Sequence, residues 1–268
     1  MLKLSIITVN LNNAEGLRKT IDSVINQTYT HFEHIIIDGG STDGSVEVIK
    51  EYEAIYKEKQ RHLYWVSEPD KGIYNGMNKG IKVARGEYCL FLNSGDYLYK
   101  DGTLDNWSNF EIKDEQIIYG DILFQGHSYS QIRKYPNIVS LDYLTHTSLP
   151  HQSMFIKTDL FNKIGLYNET FKITADWEFY TKAILKLEVS YLHINKIISV
   201  SDIYGISNDL NYKDLHIQEK KIAMRNIFPE TIWIAGRELV ETKNKLNGLL
   251  GSRSVKWILY INKKLKRK

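Results

Sequence analysis

Acidic side chains follow several predicted β-strands of this chain at the point where each strand ends. Asp38 ends the predicted strand 33–38, Asp70 lies in the turn after the strand 62–66, and Asp96 follows the strand 88–92. Because parallel strands present their carboxyl ends at one edge of a sheet, we expect these three carboxylates to lie close together. Such a concentration of negative charge is costly unless a cation or bound hydroxyl groups compensate it. The pattern therefore predicts a ligand site at this edge.

The segment Asn93-Ser94-Gly95-Asp96 indicates which kind of ligand. It directly follows five apolar or aromatic residues, which are typical of a buried parallel strand. The carboxylate of Asp96 and the amide oxygen of Asn93 are hard oxygen ligands, suited to Mg²⁺ or Mn²⁺ carrying a diphosphate. An aspartate after a glycine is also an ordinary turn residue, so this segment alone leaves both interpretations open.

Two other acidic positions have both a functional and a structural interpretation. Asp38 could accept a hydrogen bond from a nucleobase or a ribose, or it could cap the following turn together with Asp43. Asp176 and Glu178 could act chemically, or they could complement the dipole of the helix that they begin. At positions i and i+2 of a helix their side chains point in different directions. That spacing disfavours a glycoside hydrolase, in which two carboxylates flank one bond.

The elements that must position these residues alternate between strand and helix. Four buried strands are predicted at 4–9, 33–38, 62–66 and 88–92, with a helix after each of the first three. Repeated units of this length predict a parallel sheet with right-handed crossovers. The first turn, residues 10–16, lacks the GxGxxG spacing of a dinucleotide-binding site, which argues against a dehydrogenase.

The pattern changes after Asp96. We predict a short helix near 101–110, a hairpin of 116–124 with 127–134, a strand entry at 154–156 and two further strands at 189–194 and 197–200. The Gly/Ser segment 204–208 fits a mobile loop over a site or an ordinary connection. Helices are predicted from about residue 212 onward.

Length and composition limit the possible fold class and cellular location. The chain has 268 residues, 43% hydrophobic and 25% charged, enough for one large α/β core with an appendage. The first residues are too short an apolar run for a signal peptide, and no apolar stretch approaches the roughly 18 residues of a membrane span, so a cytoplasmic location is expected. The single cysteine, Cys89, is expected to pack as a small hydrophobe, and no His/Cys constellation suggests zinc.

The charge of the chain is concentrated at one end. The segment Thr242–Lys268 has no acidic residue although it is rich in Lys and Arg, so the rest of the chain is net acidic. Within it, residues 254–268 combine an apolar helical face with basic residues around it. Such an end can lie on an anionic membrane, where each basic residue adds about 1 kcal/mol, or it can be a solvated tail. No nucleic-acid-binding module accompanies it, so nucleic acid is not an expected partner.

The order of these motifs resembles the family-2 glycosyltransferases, an inverting group with the GT-A fold. The resemblance covers roughly residues 3–208, in the blocks SIITVNLN, SVINQTYTHFEHIIIDGGSTDGS, SEPDKGIYNGMNKGIKVARGEYCLFLNSGD, PHQSMFIK and ADWEFY. It implies a mostly parallel, Rossmann-like sheet with flanking helices in a transferase domain at 1–208. Residues 209–268 would then be a helical C-terminal extension with the basic amphipathic end.

The resemblance also implies a function for that domain. It implies transfer of a sugar from a nucleoside-diphosphate sugar, with UDP favoured by family frequency, to a hydroxyl of a lipid-linked or polysaccharide acceptor. The basic end would then hold the protein at the cytoplasmic membrane face. A non-catalytic nucleotide-sugar-binding or scaffold subunit is the alternative.

Site residues follow from the resemblance block by block. On the donor side it implies that Thr8 and Asp38 line the nucleoside pocket and that Asp70 and Lys71 lie beside the sugar of the donor. It also implies a Mg²⁺ or Mn²⁺ site at Asp96, with Asn93 nearby. On the acceptor side it implies that Asp176 is the catalytic base, with Glu178, His151 and Gln152 as neighbours.

Two departures from the family pattern reduce the negative charge of the predicted site. Many members have an Asp-x-Asp or Asp-Asp pair where this chain has Asn93-Ser94-Gly95-Asp96, and Asn75 stands where related sequences often have an aspartate. The departures put the affinity for a metal in question more than the fold, because Mg²⁺ often takes only one or two carboxylates in addition to phosphate oxygens.

Overall fold

The computed structural model describes residues 3–105, 114–126, 129–202 and 210–252, which form a mixed α/β fold around one sheet. The strands are β1 Leu4–Asn10, β2 Phe32–Asp38, β3 His62–Ser67, β4 Tyr88–Phe91, β5 Tyr97–Leu98, β6 Ile117–Gln125, β7 Ser130–Arg133, β8 Met154–Lys157 and β9 Tyr191–Asp202. The helices are α1 Ala14–Ile25, α2 Ser45–Glu58, α3 Ile73–Val83, α4 Leu141–His146, α5 Thr158–Ile164, α6 Ala175–Thr181, α7 Lys213–Ile227 and α8 Glu230–Gly251.

The first four strands form the predicted parallel sheet, in the order β3-β2-β1-β4. Their register places Asn10 beside Asp38 and Asp38 beside Ser67, so that the strands end at a common edge. Every residue of β1 and β2 is buried, because helices cover both faces of this part of the sheet. The parallel topology and its edge of polar residues therefore confirm the sequence-based prediction.

Alternate side chains of β2 show how the two faces are filled. Ile36 packs with α1 and α2 on one face, whereas Ile35 and Ile37 pack with α3 on the other. Fully burying one such side chain contributes about 1.5–3 kcal/mol, so the continuous apolar run fixes the strand between two helical layers. Cys89 is fully buried in β4, as expected for a cysteine that packs as a hydrophobe.

The second part of the sheet is mixed. Strand β8 lies antiparallel between β4 and β6, and β7 forms the predicted hairpin with β6. The two strands predicted at 189–194 and 197–200 are one strand, β9, which pairs with β6 through an irregularity between Tyr119 and Ile122. The bulge explains the apparent interruption of the pattern, because it changes which side chains face the core.

Several expectations fall partly outside the described residues. Of the helix predicted near 101–110, residues 101–105 form turns and the rest is not described. The loop 204–208, the predicted domain boundary after 208 and the basic segment 254–268 also lie outside. The expected C-terminal helices are present as α7 and α8. Within the described residues, none of the helices combines the length and apolarity that crossing a membrane requires.

A buried histidine joins β2 to the layer of α1 and α2. The ring of His34 is fully buried, with Thr8 Oγ1 2.9 Å from Nε2 and the Tyr56 hydroxyl 2.6 Å from Nδ1. Burial penalises the charged ring and lowers the pKa of His34 from its usual 6.5 to about 3. The folded protein therefore keeps this imidazole neutral.

Because His34 is neutral in the folded protein, we predict that the free energy of unfolding decreases as the pH falls below about 6.5. Between about pH 6.5 and pH 3 the unfolded chain binds a proton at His34 that the folded chain does not, so folding is favoured less as the pH falls. Urea unfolding of the wild type and of His34→Gln should be compared at pH 7, 6 and 5. Below pH 6.5 we expect the wild type to lose up to about 1.4 kcal/mol more per pH unit than the variant. Equal pH slopes would contradict a neutral buried ring.

Candidate functional site

A cleft of about 1280 Å³ opens beside the carboxyl ends of the parallel strands. Its walls come from the start of α1, the turn after β4, the start of α3, the segment 146–152, the start of α6 and one side of α7. Five of the residues that the sequence singled out line this one cleft, namely Asn93, Asp96, His151, Gln152 and Asp176. The fold thus brings together positions that are more than 80 residues apart in the chain.

Asp176 is a carboxylate that lines the cleft with 13% of its side chain exposed. It lies in the first turn of α6, and each of its oxygens has one partner. The Tyr74 hydroxyl donates to Oδ1 at 2.8 Å, and His151 Nδ1 lies 3.1 Å from Oδ2. Burial alone would raise the pKa of Asp176, but the hydrogen bond and charge of His151, followed by the Tyr74 hydroxyl, lower it below its usual value. Asp176 is therefore an anion with lone pairs left for a substrate hydroxyl.

His151 connects Asp176 to the turn after β4. Its Nδ1 faces Asp176, and its Nε2 lies 3.4 Å from Asn93 Nδ2. Burial acts to lower the pKa of His151, but the hydrogen bond to Asp176 and the charges of Asp176 and Asp96 raise it above 6.5 overall. The pair consequently stabilises negative charge on Asp176 and positive charge on His151.

The turn that carries Asp96 is held by helix α1. Thr20 Oγ1 accepts a hydrogen bond from the Gly95 N–H at 3.0 Å and donates to the Asp96 carbonyl at 2.7 Å. Asn13 Nδ2 also donates to the Ser94 carbonyl at 3.0 Å. Gly95 has a φ of +104°, a conformation that strongly favours glycine. A second carboxylate at position 95 would therefore strain this turn, which gives a physical reason for the departure from the Asp-rich family pattern.

The cleft contains oxygen atoms that fit a divalent cation. Burial raises the pKa of Asp96, and the charge of His151 and contacts with Ser201 and Gln152 offset this only in part. A carboxylate in that state gains from a nearby cation. Asn93 Oδ1 is buried and has no hydrogen-bond partner among the described residues. Across those residues no three His, Cys, Asp or Glu side chains converge, so these two oxygens fit an ion whose other ligands are phosphate and water.

The residues predicted for the nucleoside lie at the same sheet edge but do not line the cleft. Asp38 is fully buried and accepts four hydrogen bonds of 2.6–2.9 Å, from the Asn10 amide, the Ser41 backbone and hydroxyl, and the Ser67 hydroxyl. Burial acts to raise the pKa of Asp38, and these donors lower it overall. A nucleobase N–H would have to replace one of them. The Thr8 hydroxyl is buried against His34.

Asp70 approaches the Asp38 turn, as the sheet-edge argument predicted. A Cβ at Gly39 would lie 2.8 Å from Asp70 Oδ2, so only glycine at position 39 leaves room for this carboxylate. Asp70 Oδ1 accepts the Gly72 N–H at 2.9 Å, and Lys71 is exposed. Neither Asp70 nor Lys71 is among the cleft-lining residues.

Glu178, a predicted acceptor-side residue, and Asn75, a departure from the family pattern, both contact other parts of the fold. Glu178 Oε1 accepts a hydrogen bond from Asn226 of α7 at 3.0 Å, which agrees with the divergence expected of an i, i+2 pair. The Asn75 amide donates to Glu169 at 2.8 Å. Both contacts join elements of the fold and leave Asp176 as the carboxylate of α6 in the cleft.

Sequence reasoning missed the contributions of α3 and α7 to the cleft. The helical pattern indicates that Tyr74 is part of the apolar face of α3, but its hydroxyl contacts Asp176. His216 and Lys220 line the cleft from α7, a helix whose polar pattern is typical of any surface helix. No local signal distinguishes these residues, because only the packing of α7 against α6 brings them to the cleft.

Glu219 of α7 fixes the segment that leads to Asp176. Its buried carboxylate accepts hydrogen bonds from three consecutive backbone N–H groups, those of Lys172, Ile173 and Thr174, at 2.7, 3.0 and 3.1 Å. The Thr174 hydroxyl adds a fourth at 3.1 Å. Asp176 lies two residues after Thr174, so Glu219 fixes the backbone at the start of α6.

Comparison with known proteins agrees with this architecture. Residues 5–172, more than half of the chain, match the family model described as Glycosyl transferase family 2. A PGL/p-HBAD biosynthesis glycosyltransferase of Mycobacterium bovis is 31% identical over 215 residues, covering 78% of this chain and 81% of that protein. An uncharacterised glycosyltransferase of Mycobacterium tuberculosis is 33% identical over 199 residues, covering 69% and 70%.

Solved structures share the fold. Residues 1–349 of Staphylococcus aureus TarS in complex with UDP-GlcNAc superpose with a TM-score of 0.59 at 22% identity, covering 75% of this chain and 58% of that one. A Pyrobaculum calidifontis mannosyltransferase in complex with GDP-Man and Mn²⁺ gives 0.60 at 13% identity, covering 99% and 81%. This chain spans only 37% of the longer TarS chain. At these identities the likeness shows a GT-A-like fold alone.

The Glu219 contacts predict a linked loss of stability and activity. In Glu219→Gln an amide group would face backbone donors, leaving at least one of them without an acceptor. We expect the free energy of unfolding to fall by about 1–3 kcal/mol. Turnover should fall at a temperature where the variant remains folded, because Asp176 is no longer held. Asp214→Asn makes the same carboxylate-to-amide change at an exposed position in the first turn of α7; it should lower the free energy of unfolding by less than about 1 kcal/mol and leave turnover unchanged. Unchanged turnover in Glu219→Gln would refute the positioning role.

Proposed function

This chain belongs to glycosyl transferase family 2, and on that premise we propose that it transfers a sugar from a nucleoside-diphosphate sugar to an acceptor hydroxyl with inversion. The observation that carries the proposal is the ionised, largely buried carboxylate of Asp176, which lines the same cleft as Asp96 and Asn93. One group could thus accept a proton while the others face a diphosphate.

Asp176 is the proposed general base. As the acceptor oxygen attacks the anomeric carbon, its proton passes to a carboxylate oxygen of Asp176. The bond from the anomeric carbon to the diphosphate oxygen breaks on the opposite face, and its electron pair leaves with the diphosphate. A single displacement of this kind inverts the configuration and needs no covalent intermediate.

Tyr74 and His151 orient the base for this step. Their contacts engage one site on each carboxylate oxygen and restrict rotation of the Asp176 side chain. His151 and Gln152 lie on the acceptor side of the proposed arrangement.

Asp96 and Asn93 would hold a Mg²⁺ or Mn²⁺ ion, because they offer a carboxylate and an unpartnered amide oxygen. Bound there with the donor, the ion would supply positive charge that stabilises the leaving diphosphate. Lys71 is proposed to assist this stabilisation, and Thr8, Asp38 and Asp70 to form the nucleoside side of the donor site. A UDP-sugar is the proposed donor. The TarS structures with UDP and UDP-GlcNAc support a nucleotide-sugar as the donor. Because the mannosyltransferase structure contains GDP-Man, GDP is tested beside UDP in the binding experiment below.

The two carboxylates predict separable defects. Asp176→Asn should lower kcat by about 10²-fold or more and leave the Kd for UDP unchanged, since the base acts on the acceptor. Asp96→Asn should instead weaken UDP binding, and only when Mn²⁺ is present. Calorimetric titration of UDP and GDP with Mn²⁺ or with a chelator measures the second effect, and sugar transfer from radiolabelled donor measures the first.

A matched control is Asp22→Asn, which changes an acidic residue at the rim of the cleft on α1. It should affect neither quantity strongly. If neither UDP nor GDP bound under any condition, the transferase proposal would fail, and a non-catalytic subunit would be the better description of the protein. Equal loss of turnover and UDP binding in Asp176→Asn would contradict the role of Asp176 as base.

We further propose that the acceptor is a lipid-linked or polysaccharide glycan and that the C-terminal extension contacts an anionic membrane surface. Helix α8 supports the membrane contact, because it carries exposed apolar side chains ahead of the basic segment. Those most exposed are Leu239, Leu246 and Leu249. Apolar area together with basic residues is the combination that binds such surfaces.

Truncation after Gly251 should weaken this contact. Removing residues 252–268 deletes seven of the basic residues of the tail. We expect binding to vesicles containing anionic phosphatidylserine or phosphatidylglycerol to fall by at least about 10-fold at low salt. Vesicle sedimentation measures the effect, with zwitterionic phosphatidylcholine vesicles as the control. Equal sedimentation of the full and truncated chains would rule the anchor out.

A further inference from the structure

Three basic side chains form one wall of the cleft beyond Asp176. We define the basic wall as Arg133 of β7 together with His216 and Lys220 of α7. Among the described residues, neither Arg133 nor Lys220 has a carboxylate within ion-pair distance, and His216 has no hydrogen bond. The wall therefore presents cations that no protein anion pairs with directly.

Lys220 is held at the cleft surface by fixed contacts. Its Nζ donates to the Thr147 carbonyl at 3.3 Å and to the Ser148 hydroxyl at 3.2 Å, and it lies 4.9 Å from the centre of the Trp177 ring. An ammonium group has three N–H donors, so one donor is left for a ligand. The Arg133 guanidinium is similarly placed 5.4 Å from the ring of Tyr135. Both cations are thus preorganised by aromatic faces.

The members of the wall act on one another. Burial, together with repulsion from Arg133, lowers the pKa of Lys220 to about 8, although the charge of Asp176 opposes the shift. Burial and the charge of Lys220 also lower the pKa of His216. Like charges that repel in a partly buried site are stabilised by an anion. The cleft therefore has an unmet requirement for negative charge at this wall.

The chain of contacts locates the wall relative to the proposed chemistry. Asn93 contacts His151, His151 contacts Asp176, and the neighbouring Trp177 contacts Lys220. The contacts of Lys220 thus run to the neighbour of Asp176 and to residues 147–148, and none of them runs to Asp96 or Asn93. Because the proposed base receives the proton of the acceptor hydroxyl, we place the basic wall on the acceptor side.

We propose that the basic wall binds an anionic group, a phosphate ester or a carboxylate, carried by the acceptor close to the hydroxyl that receives the sugar. This assignment rests on the proposed function for the direction of transfer. Phosphate and carboxylate both satisfy it, because each offers several acceptor oxygens to the Arg133 guanidinium and the Lys220 ammonium group and can also accept a hydrogen bond from the neutral His216 ring. The wall consequently selects charged acceptors over neutral ones of the same size.

The test uses three probes that share one alkyl tail, namely hexyl phosphate, hexyl glucuronide and hexyl glucoside. Each is titrated calorimetrically into the full chain, with and without saturating UDP and Mn²⁺, so that UDP blocks the donor diphosphate position. We expect the UDP-saturated protein to bind at least one anionic probe about 10-fold or more tightly than the neutral glucoside. Whether the phosphate or the glucuronide binds more tightly identifies the anion.

Substitutions then assign the binding to the wall. Lys220→Met should weaken anionic-probe binding by about 10-fold and Arg133→Met by several-fold, while Lys220→Arg should largely preserve it. Lys221→Met removes a neighbouring exposed charge from the same helix and should have no effect. The exposed Arg133 keeps the test valid even if Lys220→Met unfolds. The Kd for UDP should not change in any of these variants.

Two results would overturn the inference. The first is equal binding of charged and neutral probes by the wild type. The second is a loss of UDP affinity in Lys220→Met, which would assign the wall to the donor diphosphate. If UDP itself failed to bind, the proposed function would fail, and titration of the probes without UDP would still decide whether the wall binds anions.

Discussion

The cleft depends on keeping one largely buried carboxylate, that of Asp176, ionised. Taking a carboxylate out of water costs several kcal/mol unless hydrogen bonds and opposite charge replace the lost hydration. For Asp176 they come from Tyr74 of α3 and from His151 in the turn before β8. Three separate parts of the chain must therefore meet within hydrogen-bonding distance before α6 can present an ionised carboxylate to the cleft. The mixed second part of the sheet brings them together, because β8 pairs directly with β4.

Glu219 is a second carboxylate that hydrogen bonds stabilise in a buried position. Its negative charge is offset by backbone N–H groups of residues 172–174, which otherwise would lack acceptors before the start of α6. Helix α7 thus contributes side chains to the cleft. Through this contact, and through Lys220 and His216, residues beyond the segment 5–172 that matches the family complete the cleft.

Charge is distributed unevenly along the cleft. The turn after β4 contributes Asp96 and the unpartnered oxygen of Asn93, and α7 and β7 contribute cations. The glycine at position 95, where many family members have a carboxylate, agrees with the turn, since Gly95 adopts a positive φ and Thr20 ties its backbone to α1. This distribution is the basis on which we propose a cation with its phosphate ligands near Asp96 and an anion at the basic wall.

The sequence by itself determined the parallel half of the sheet and the residues at its edge. Continuous apolar runs such as that of β2 and the turn glycines are local signals, and they predicted the strands within about a residue. The family pattern placed Asp96, His151 and Asp176, which do share one cleft. Only the tertiary structure decided that Tyr74 contacts Asp176, that Lys220 lines the cleft and that Glu219 holds the segment before α6. It also decided that Glu178 contacts Asn226 and that Asp38 already accepts four hydrogen bonds. These outcomes depend on contacts between residues far apart in the chain, and no local spacing encodes them.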